Sequence, residues 1–255
     1  MNQPHPDLPL WHLAAIETAR AAGHRIRAAA AGPQQINESH HYDLKIQLDV
    51  DTQAFITEEL IGRFPDHHLL GEEGGAGNDG QGIEWIVDPI DGTVNLAYGI
   101  PHYCVSIGCR VDGHYQLGVI YDPVRDELFE AIRGGGARCN GIPIHVSPRD
   151  RVEEAILSLG FSKTRETVDK CLELYGHYAR HARKLRAMGS AALDMAYVAA
   201  GRFDAYVEQG ISIWDIAAGI VLIEEAGGRV QLTPLPGREK FHVKAWNGKI
   251  PLDLA

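Results

Sequence analysis

The chain has 255 residues, 45% of them hydrophobic and 23% charged, and a formal net charge of −10. This length and composition are typical of a globular protein with one large domain or two joined halves, and the acidic balance disfavours a nucleic-acid-binding surface, which normally shows a basic stripe. The chain lacks a run of about 18 apolar residues, so no membrane span is expected. The N-terminal residues show no basic segment before an apolar core, and the four cysteines form no C-x-x-C pair, so we expect a protein of the reducing cytoplasm without a signal peptide.

The first third of the chain predicts two helices and a loop. Residues 8–31 form an alanine-rich amphipathic pattern that a Gly-Pro pair ends. Residues 51–64 form a second helical pattern, with Asp51 or Thr52 as its N-cap. Residues 71–82 hold six glycines and predict a loop.

Strands dominate the middle of the chain. Four apolar or alternating runs are predicted as strands: IEWIV, YCVSIGCRV, YQLGVIYD and ELFEAI. Asp112 and Gly113 are predicted to join the second and third runs as a hairpin.

After residue 150 strand-like and helical segments alternate. The order is the strand AILSLG, a helix over 165–183, the helix SAALDMAYVAAG, the strand FDAYVEQG and the helix WDIAAGIVLIEEAGG. Meandering strands followed by alternating strands and helices predict a layered, mixed α/β (α+β) protein. We expect a single domain over 1–255, with a seam between two lobes near 145–152 left open.

Two aspartates stand three residues apart at the end of a buried run, in the stretch WIVDPIDGTVN at 85–95. The proline between them cannot donate a ladder hydrogen bond and Gly92 permits a tight turn, so Asp88 and Asp91 are expected to face one point beyond the strand end. Thr93 is expected to open a helix. The amides of Gly92 and Thr93 would then form an anion site suited to phosphate.

A shared metal ion would explain why acids gather here. Two carboxylates about 4 Å apart repel by roughly 4 kcal/mol at an effective dielectric of about 20, which a raised pKa or a divalent cation would relieve. Hard oxygen ligands favour Mg²⁺ or Mn²⁺ over zinc. The alternative is that Asp-Pro and Asp-Gly occur here only because these residue pairs favour turns. Further acids favour the metal: Glu72 and Glu73 follow a strand-like run, and Asp215 begins an otherwise apolar helix, where the helix dipole would also favour it.

Three segments of the chain resemble, in order and spacing, the signatures of the inositol monophosphatase family, which lies within the lithium-sensitive, magnesium-dependent sugar phosphatases. The segments are GEEG, WIVDPIDGTVN and WDIAAGIVLIEEAGG. The resemblance runs over nearly the whole chain and implies a layered α-β-α-β-α fold and a homodimer.

The resemblance implies two Mg²⁺ ions and a weaker third. Glu72 and Asp88, with the carbonyl of Ile90, would hold the first ion. Asp88, Asp91 and Asp215 would hold the second, and the third would lie near Glu72.

The resemblance also implies the residues that act on water and substrate. Thr93 and Asp49 would orient or activate the attacking water, together with the ion held by Glu72, and the amides of Gly92 and Thr93 would bind the phosphate. The residues implied to contact the rest of the substrate are Asp91, Gly189, Ser190, Ala191 and Glu208.

Two departures from the family pattern lie upstream of these motifs. The pattern D-x-V-T-x-x-D is here DLKIQLD, which ends at Asp49 and has Ile46 in place of the threonine. The upstream loop lacks the family's lysine, so Lys45, or His40 with His41, would have to substitute.

The sequence therefore predicts a Mg²⁺-dependent phosphomonoesterase acting on a small polyol phosphate, with inositol monophosphate the leading substrate. Fructose-1,6-bisphosphate, histidinol phosphate and nucleotide 3′-phosphates are alternative substrates within the superfamily. A regulatory protein that kept the fold and lost the chemistry is an alternative of another class.

Overall fold

The structure is a computed structural model that describes residues 5–252 except 31, 33, 41–42, 79–81, 161–164 and 237–238. The predicted breaker Pro33 and the predicted lysine substitute His41 lie outside the described residues.

Strands dominate the middle of the described chain, and strands and helices alternate after residue 155, as the sequence patterns indicate. The helices are α1 (Leu8–Ala29), α2 (Gln47–Arg63), α3 (Thr93–Ala97), α4 (Arg165–His181), α5 (Ala191–Ala199) and α6 (Ile213–Glu225). The first strands are β1 (Ile36–His40), β2 (Asp43–Ile46), β3 (His68–Gly71), β4 (Gly74–Gly77), β5 (Ile83–Asp91), β6 (Cys104–Val111), β7 (His114–Asp122), β8 (Glu127–Ile132), β9 (Gly136–Cys139) and β10 (Ile142–Pro143). The later strands are β11 (Ile156–Leu159), β12 (Lys184–Arg186), β13 (Ala205–Ser212), β14 (Arg229–Pro234) and β15 (Lys240–Trp246).

Two large sheets organise the described residues. One has eight strands in the order β10-β9-β8-β7-β6-β5-β3-β4, and the other has five in the order β12-β11-β13-β15-β14. The strands β1 and β2 pair separately. In the larger sheet β3 runs parallel to β5, and the other neighbours are antiparallel.

Each sheet buries both of its faces, which produces five layers. Trp85 and Val87 of β5 pack with α1 and α2, whereas Ile86 between them packs with α5 and α6 on the opposite face. Tyr206 of the smaller sheet also faces α5 and α6, while its neighbour Val207 packs on the α4 side. The alternation of side chains along a strand thus confirms the predicted α-β-α-β-α arrangement.

Close contact between α6 and the larger sheet depends on a pair of glycines. Gly108 of β6 stands opposite Gly118 of β7. A Cβ atom on Gly118 would lie 2.2 Å from the backbone oxygen of Ala218 in α6, and one on Gly108 would lie 2.9 Å from the Cβ of Ala217. Side chains at these positions would therefore push α6 away from the sheet.

The predicted hairpin at Asp112-Gly113 is confirmed. Val111 pairs with His114 across a two-residue turn. Asp112 and Gly113 have φ values of 48° and 79°, the left-handed conformation that such turns require.

Three local predictions were wrong. Helix α2 begins at Gln47 with Ile46 as its N-cap, because the carboxylate of Asp49 accepts a hydrogen bond from the Ile46 amide at 3.1 Å, so neither Asp51 nor Thr52 is the cap. Part of the predicted loop at 71–82 forms a hairpin, since β4 pairs with β3 through backbone groups that need no side chain. Strand β5 does not end before Asp88 but continues to Asp91.

The segment at 145–152 lies in the chain between β10 of the larger sheet and β11 of the smaller one, and polar contacts hold it at one end of the smaller sheet. Ser147 and Arg149 both donate hydrogen bonds to the buried carboxylate of Asp204, and Asn247 donates to the carbonyl of Arg149 at 2.8 Å. The division of the chain into domains stays a prediction. None of the helices within the described residues has the length and apolar character needed to cross a bilayer.

Candidate metal centre

Three aspartates converge where β5 ends and α6 begins. Asp88, Asp91 and Asp215 each offer a carboxylate oxygen, and these oxygens lie within 4.8 Å of one another. Asp88 and Asp91 are buried and Asp215 is partly buried. Among the described residues, these three are the ones found as a group of acidic, histidine or cysteine side chains that could together hold a metal ion.

An irregularity in β5 brings its two aspartates to one side. Residues three apart on a regular strand point to opposite faces. The pairing of β5 with β6 shifts register between Asp88 and Asp91, and the Asp88 carboxylate accepts the amide of Ile90 at 3.0 Å. The bulge therefore lets both carboxylates face the N-terminus of α6.

Capping fixes the third acid. Ser212 is the N-cap of α6, and its amide donates to the carboxylate of Asp215 at 3.1 Å in a reciprocal capping box. The position in the first turn of α6 that favours an acidic residue is thus also the position that brings Asp215 to the other two acids.

The Asp91 carboxylate is anchored from behind by the start of α5. One oxygen accepts the hydroxyl of Ser190 at 2.7 Å and the amide of Ala192 at 2.6 Å. The buried thiol of Cys104 lies 3.9 Å from the same oxygen. Ser190 is itself buried, so the structure places this predicted substrate residue behind one of the three clustered acids.

Burial and mutual repulsion disfavour three ionised carboxylates without a cation. Burial raises the pKa of Asp88 well above its ordinary value, and the charges of Glu72, Asp91 and Asp215 raise it further. Burial also raises the pKa of Asp91. A divalent cation bound by hard oxygen ligands would remove this penalty, so the donor set fits Mg²⁺ or Mn²⁺.

Glu72 lies beside the three aspartates in the turn between β3 and β4, outside the group whose oxygens meet. Its amide donates to the carbonyl of Val87 at 3.2 Å, and its charge contributes to the raised pKa of Asp88. The neighbouring Glu73 pairs instead with Lys45 at 3.3 Å. Lys45 therefore lies at the acidic turn, as a substitute for the missing loop lysine would.

A threonine and an aspartate adjoin the metal ligands. The Thr93 hydroxyl lies 3.1 Å from the carboxylate of Asp49 and 2.9 Å from the carbonyl oxygen of Ile90. Asp49 is buried, and this burial raises its pKa to about 7. The pair can therefore hold or release a proton near neutral pH.

Gly92 begins α3 in a conformation that only glycine adopts easily. Its φ is 100°, and a Cβ atom there would lie 2.9 Å from the carbonyl oxygen of His102. Sequence and structure agree that a tight turn after Asp91 leads directly into a helix at Thr93.

Asn95 was missed by the sequence analysis although it ends the central motif. Its buried side-chain amide contacts the carbonyl oxygens of His102 at 2.8 Å, Met188 at 2.9 Å and Gly189 at 3.3 Å. Gly189 has a φ of 80° in this contact. Asn95 thus ties the metal-binding segment to the segment that leads to Ser190 and Ala191, a role that only the folded chain shows.

Glu208 lies on β13, and its partner was also missed. The buried hydroxyl of Tyr206 donates a short hydrogen bond to the Glu208 carboxylate. The charges of Asp194 and Asp91 also contribute to the raised pKa of this hydroxyl, so the pair lies within electrostatic range of Asp91. The signal in the sequence was the spacing of two residues, which puts both side chains on one face of a strand.

Comparison with known proteins gives the family. The model of the inositol monophosphatase family matches residues 10–247, and the chain belongs to this family. The Nus factor SuhB of Pseudomonas aeruginosa is 38% identical over 247 residues, which are 92% of this chain and 90% of that protein.

Solved structures of the same family share the fold. The inositol monophosphatase of Anabaena (Nostoc) superposes with a TM-score of 0.84 at 38% identity, over 95% of this chain and 92% of that chain. SaIMPase-II of Staphylococcus aureus, solved with inositol monophosphate bound, has a TM-score of 0.77 at 28% identity, over 93% of this chain and 88% of that chain. It has also been solved with 2′-AMP bound.

Proposed function

We propose that the protein is a Mg²⁺-dependent phosphomonoesterase that hydrolyses a small polyol phosphate, with inositol monophosphate the leading substrate. The observation that carries the proposal is the convergence of Asp88, Asp91 and Asp215 beside the Thr93–Asp49 pair. Glu72 and the carbonyl of Ile90 are proposed to complete the set of metal ligands. A third, more weakly bound ion is proposed to lie near Glu72. When bound, Mg²⁺ would polarise the phosphate oxygens and make a coordinated water more acidic.

The chain's own groups position water and phosphate. Asp49 takes a proton from the attacking water through Thr93, whose hydroxyl can accept from water and donate to the carboxylate. The amides of Gly92 and Thr93 bind phosphate oxygens, since amides at a helix start point outward. The water oxygen forms a bond to phosphorus as the bond between phosphorus and the sugar oxygen breaks. One water proton stays on the phosphate, and the proton taken by Asp49 is matched by one that ends on the departing sugar oxygen. This mechanism needs positioning and charge stabilisation but no covalent nucleophile.

Recognition of the polyol is assigned to residues beside the acid cluster. The Glu208 carboxylate accepts hydrogen bonds from sugar hydroxyls, while the segment of Gly189, Ser190 and Ala191 shapes the cleft behind Asp91. The binding of inositol monophosphate by SaIMPase-II supports this choice of substrate.

Nucleotides are the best-supported alternative substrates, because SaIMPase-II also binds 2′-AMP. Fructose-1,6-bisphosphate and histidinol phosphate are the other candidates. Phosphate release from a panel of these esters and inositol monophosphate, with Mg²⁺ and with EDTA, tests the proposal. Release that EDTA does not reduce would contradict the metal mechanism, and a higher kcat/KM on another ester would change the substrate.

A regulatory role is the second candidate, since relatives such as the one from Pseudomonas aeruginosa are named Nus factors. The two candidates differ in their need for Asp91. If a gene encoding Asp91→Asn restores the phenotype of a deletion strain as well as the wild-type gene does, the cellular role does not require hydrolysis. Failure of that variant, made at wild-type level, supports the enzyme.

Lithium inhibition and dimer formation complete the proposal for a cytoplasmic enzyme. Li⁺ is small and hard but carries a single charge, so it would stabilise the leaving oxygen poorly in place of Mg²⁺. Phosphate release should fall in millimolar Li⁺ and not in equal K⁺. Sedimentation should give twice the chain mass of 27.9 kDa.

A further inference from the structure

Four residues form a row on the face of the smaller sheet that looks toward α5. Ser158 and Gly160 alternate along β11 and its end, and Tyr206 and Glu208 alternate along the parallel neighbour β13. Ser158 pairs with Tyr206, and the Gly160 amide donates to the carbonyl of Val207 at 2.9 Å. Gly160 and Glu208 therefore lie side by side at the C-terminal end of β11.

We propose that Tyr206 and Gly160 are positioning residues that fix the Glu208 carboxylate for the recognition of polyol hydroxyls. The inference rests on the proposed phosphatase function and deepens it. Neither residue is proposed to bind the phosphate or the metal ion; both act through Glu208.

Tyr206 supplies the Glu208 carboxylate with a hydrogen-bond donor from the core between the sheets. Its side chain is buried in the core between the sheets. Its hydroxyl donates to one oxygen of Glu208. Burial, and then the charge of Glu208, raises the pKa of Tyr206, so the hydroxyl keeps its proton at every physiological pH. Because the Tyr206 ring is packed in the core, its hydroxyl has a fixed position. The hydrogen bond to that hydroxyl therefore fixes the position and rotation of the Glu208 carboxylate.

Gly160 supplies the space that the carboxylate fills. A Cβ atom on Gly160 would lie 1.9 Å from an oxygen of Glu208 and 2.4 Å from its carboxyl carbon. The φ of Gly160 lies outside the left-handed region, so the backbone does not require glycine there. The glycine is needed because Glu208 lies against the backbone at this point.

A purely structural contact would have a different effect. A tyrosine that only satisfied its own hydroxyl would affect the stability of the core and all substrates alike. A positioning residue affects the substrates that use Glu208. Substrates with and without hydroxyls beside the phosphate therefore distinguish the two roles.

The experiment measures kcat and KM in Mg²⁺ for inositol monophosphate and for para-nitrophenyl phosphate, which has no such hydroxyls. Tyr206→Phe keeps the ring and removes the donor, while Gly160→Ala keeps every hydrogen-bonding group and displaces only the end of a flexible side chain. Each should lower kcat/KM for inositol monophosphate about tenfold, chiefly through KM, and for the aryl ester by less than about twofold. Gly176→Ala in α4 is the matched control, since a Cβ there meets nothing within 4 Å.

A double-variant cycle tests whether both act through one carboxylate. In a Glu208→Gln background, Tyr206→Phe and Gly160→Ala should each add less than about a twofold further loss on inositol monophosphate. Additive losses, equal losses on both esters, or unchanged kinetics in an active protein would overturn the inference alone. A wild-type protein that hydrolyses neither ester in Mg²⁺ would overturn the proposed function and this inference with it.

Discussion

At Asp91 a single carboxylate accepts hydrogen bonds from the protein and is the proposed ligand of an ion. Ser190 and Ala192 both donate to one of its oxygens and so fix the rotation of the group. Fixed ligands favour metal binding because less side-chain freedom is lost when the ion arrives. The price of this order is burial, which disfavours the ionised form in the absence of the ion.

Replacing Asp91 with asparagine should separate catalysis from folding. Asp91→Asn keeps an oxygen for Ser190 and Ala192 but removes a charge from the ligand set. We expect kcat in Mg²⁺ to fall at least about a hundredfold, while the free energy of unfolding in EDTA stays equal or rises because repulsion is relieved. The exposed Asp150→Asn is the control and should keep wild-type kcat. A near wild-type kcat for Asp91→Asn would exclude this residue as a required ligand.

The raised pKa of Asp49 predicts a pH dependence of stability in the absence of metal. Its pKa rises from 3.8 to about 7 on folding, so the folded chain keeps a proton that the unfolded chain has lost. This contribution to stability is present below about pH 4 and is lost as the pH rises to about 7, by at most roughly 4 kcal/mol. Urea unfolding in EDTA should show a shallower loss for Asp49→Asn than for the wild type. Parallel profiles would mean that the Asp49 carboxyl is ionised in the folded protein.

The role of a residue could be predicted where its immediate neighbours in the sequence make it unusual. Asp88 and Asp91 follow a buried apolar run, where two close negative charges are unfavourable. Asp215 is a single acid among apolar neighbours. Asn95 carries no such signal, because two of its partners come from a segment more than 90 residues away. Tyr206 and Glu208 are only two residues apart, but the spacing alone does not show that they form a hydrogen bond.

Helix N-termini surround the acid cluster at the scale of the elements. Helix α2 begins two residues before Asp49, α5 begins at the donors to Asp91, and α6 begins two residues before Asp215. The positive ends of these dipoles favour anions, both carboxylates and phosphate. The sequence predicted the start of α6 but misplaced that of α2, since the cap there is a backbone amide of Ile46, which has no capping side chain.

The glycine pair beneath α6 predicts a sharp difference between two alanine substitutions. Gly118→Ala would meet the backbone of Ala218, which cannot move without shifting the helix that carries Asp215. We expect a loss of about 2–4 kcal/mol in the free energy of unfolding, together with weaker activation by Mg²⁺. Gly62→Ala, in helix α2, meets nothing within 4 Å and should raise stability by about 0.5–1 kcal/mol. Equal small effects in denaturant titrations would show that α6 can move off the sheet at little cost.

At the scale of the whole molecule, the three clustered aspartates come from both sheets. Asp88 and Asp91 belong to the larger sheet, whereas Asp215 follows a strand of the smaller one. The core between the sheets includes residues of both and of α5 and α6. An ion bound to all three acids therefore opposes separation of the two halves.

Thermal unfolding should report this coupling. At an Mg²⁺ concentration about 100 times its Kd, binding contributes roughly 2.7 kcal/mol, which for a protein of this size raises Tm by about 5–10 °C. EDTA should reverse the rise, and Asp91→Asn should remove most of it while Asp150→Asn retains it. An equal rise in wild type and Asp91→Asn would place the stabilising ion elsewhere.

The glycine pair also determines when the centre can form during synthesis. Strands β5, β6 and β7 leave the ribosome well before α6, so Asp88 and Asp91 exist for seconds in a nascent chain without Asp215. Two close acids without their third partner bind a divalent ion poorly, and the bare surface at Gly108 and Gly118 stays uncovered until α6 arrives. Docking of that helix closes the apolar groove and completes the ligand set in one event, so a nascent chain that stalls before residue 213 carries neither. Ion binding would then mark a chain in which α6 has been made and has docked.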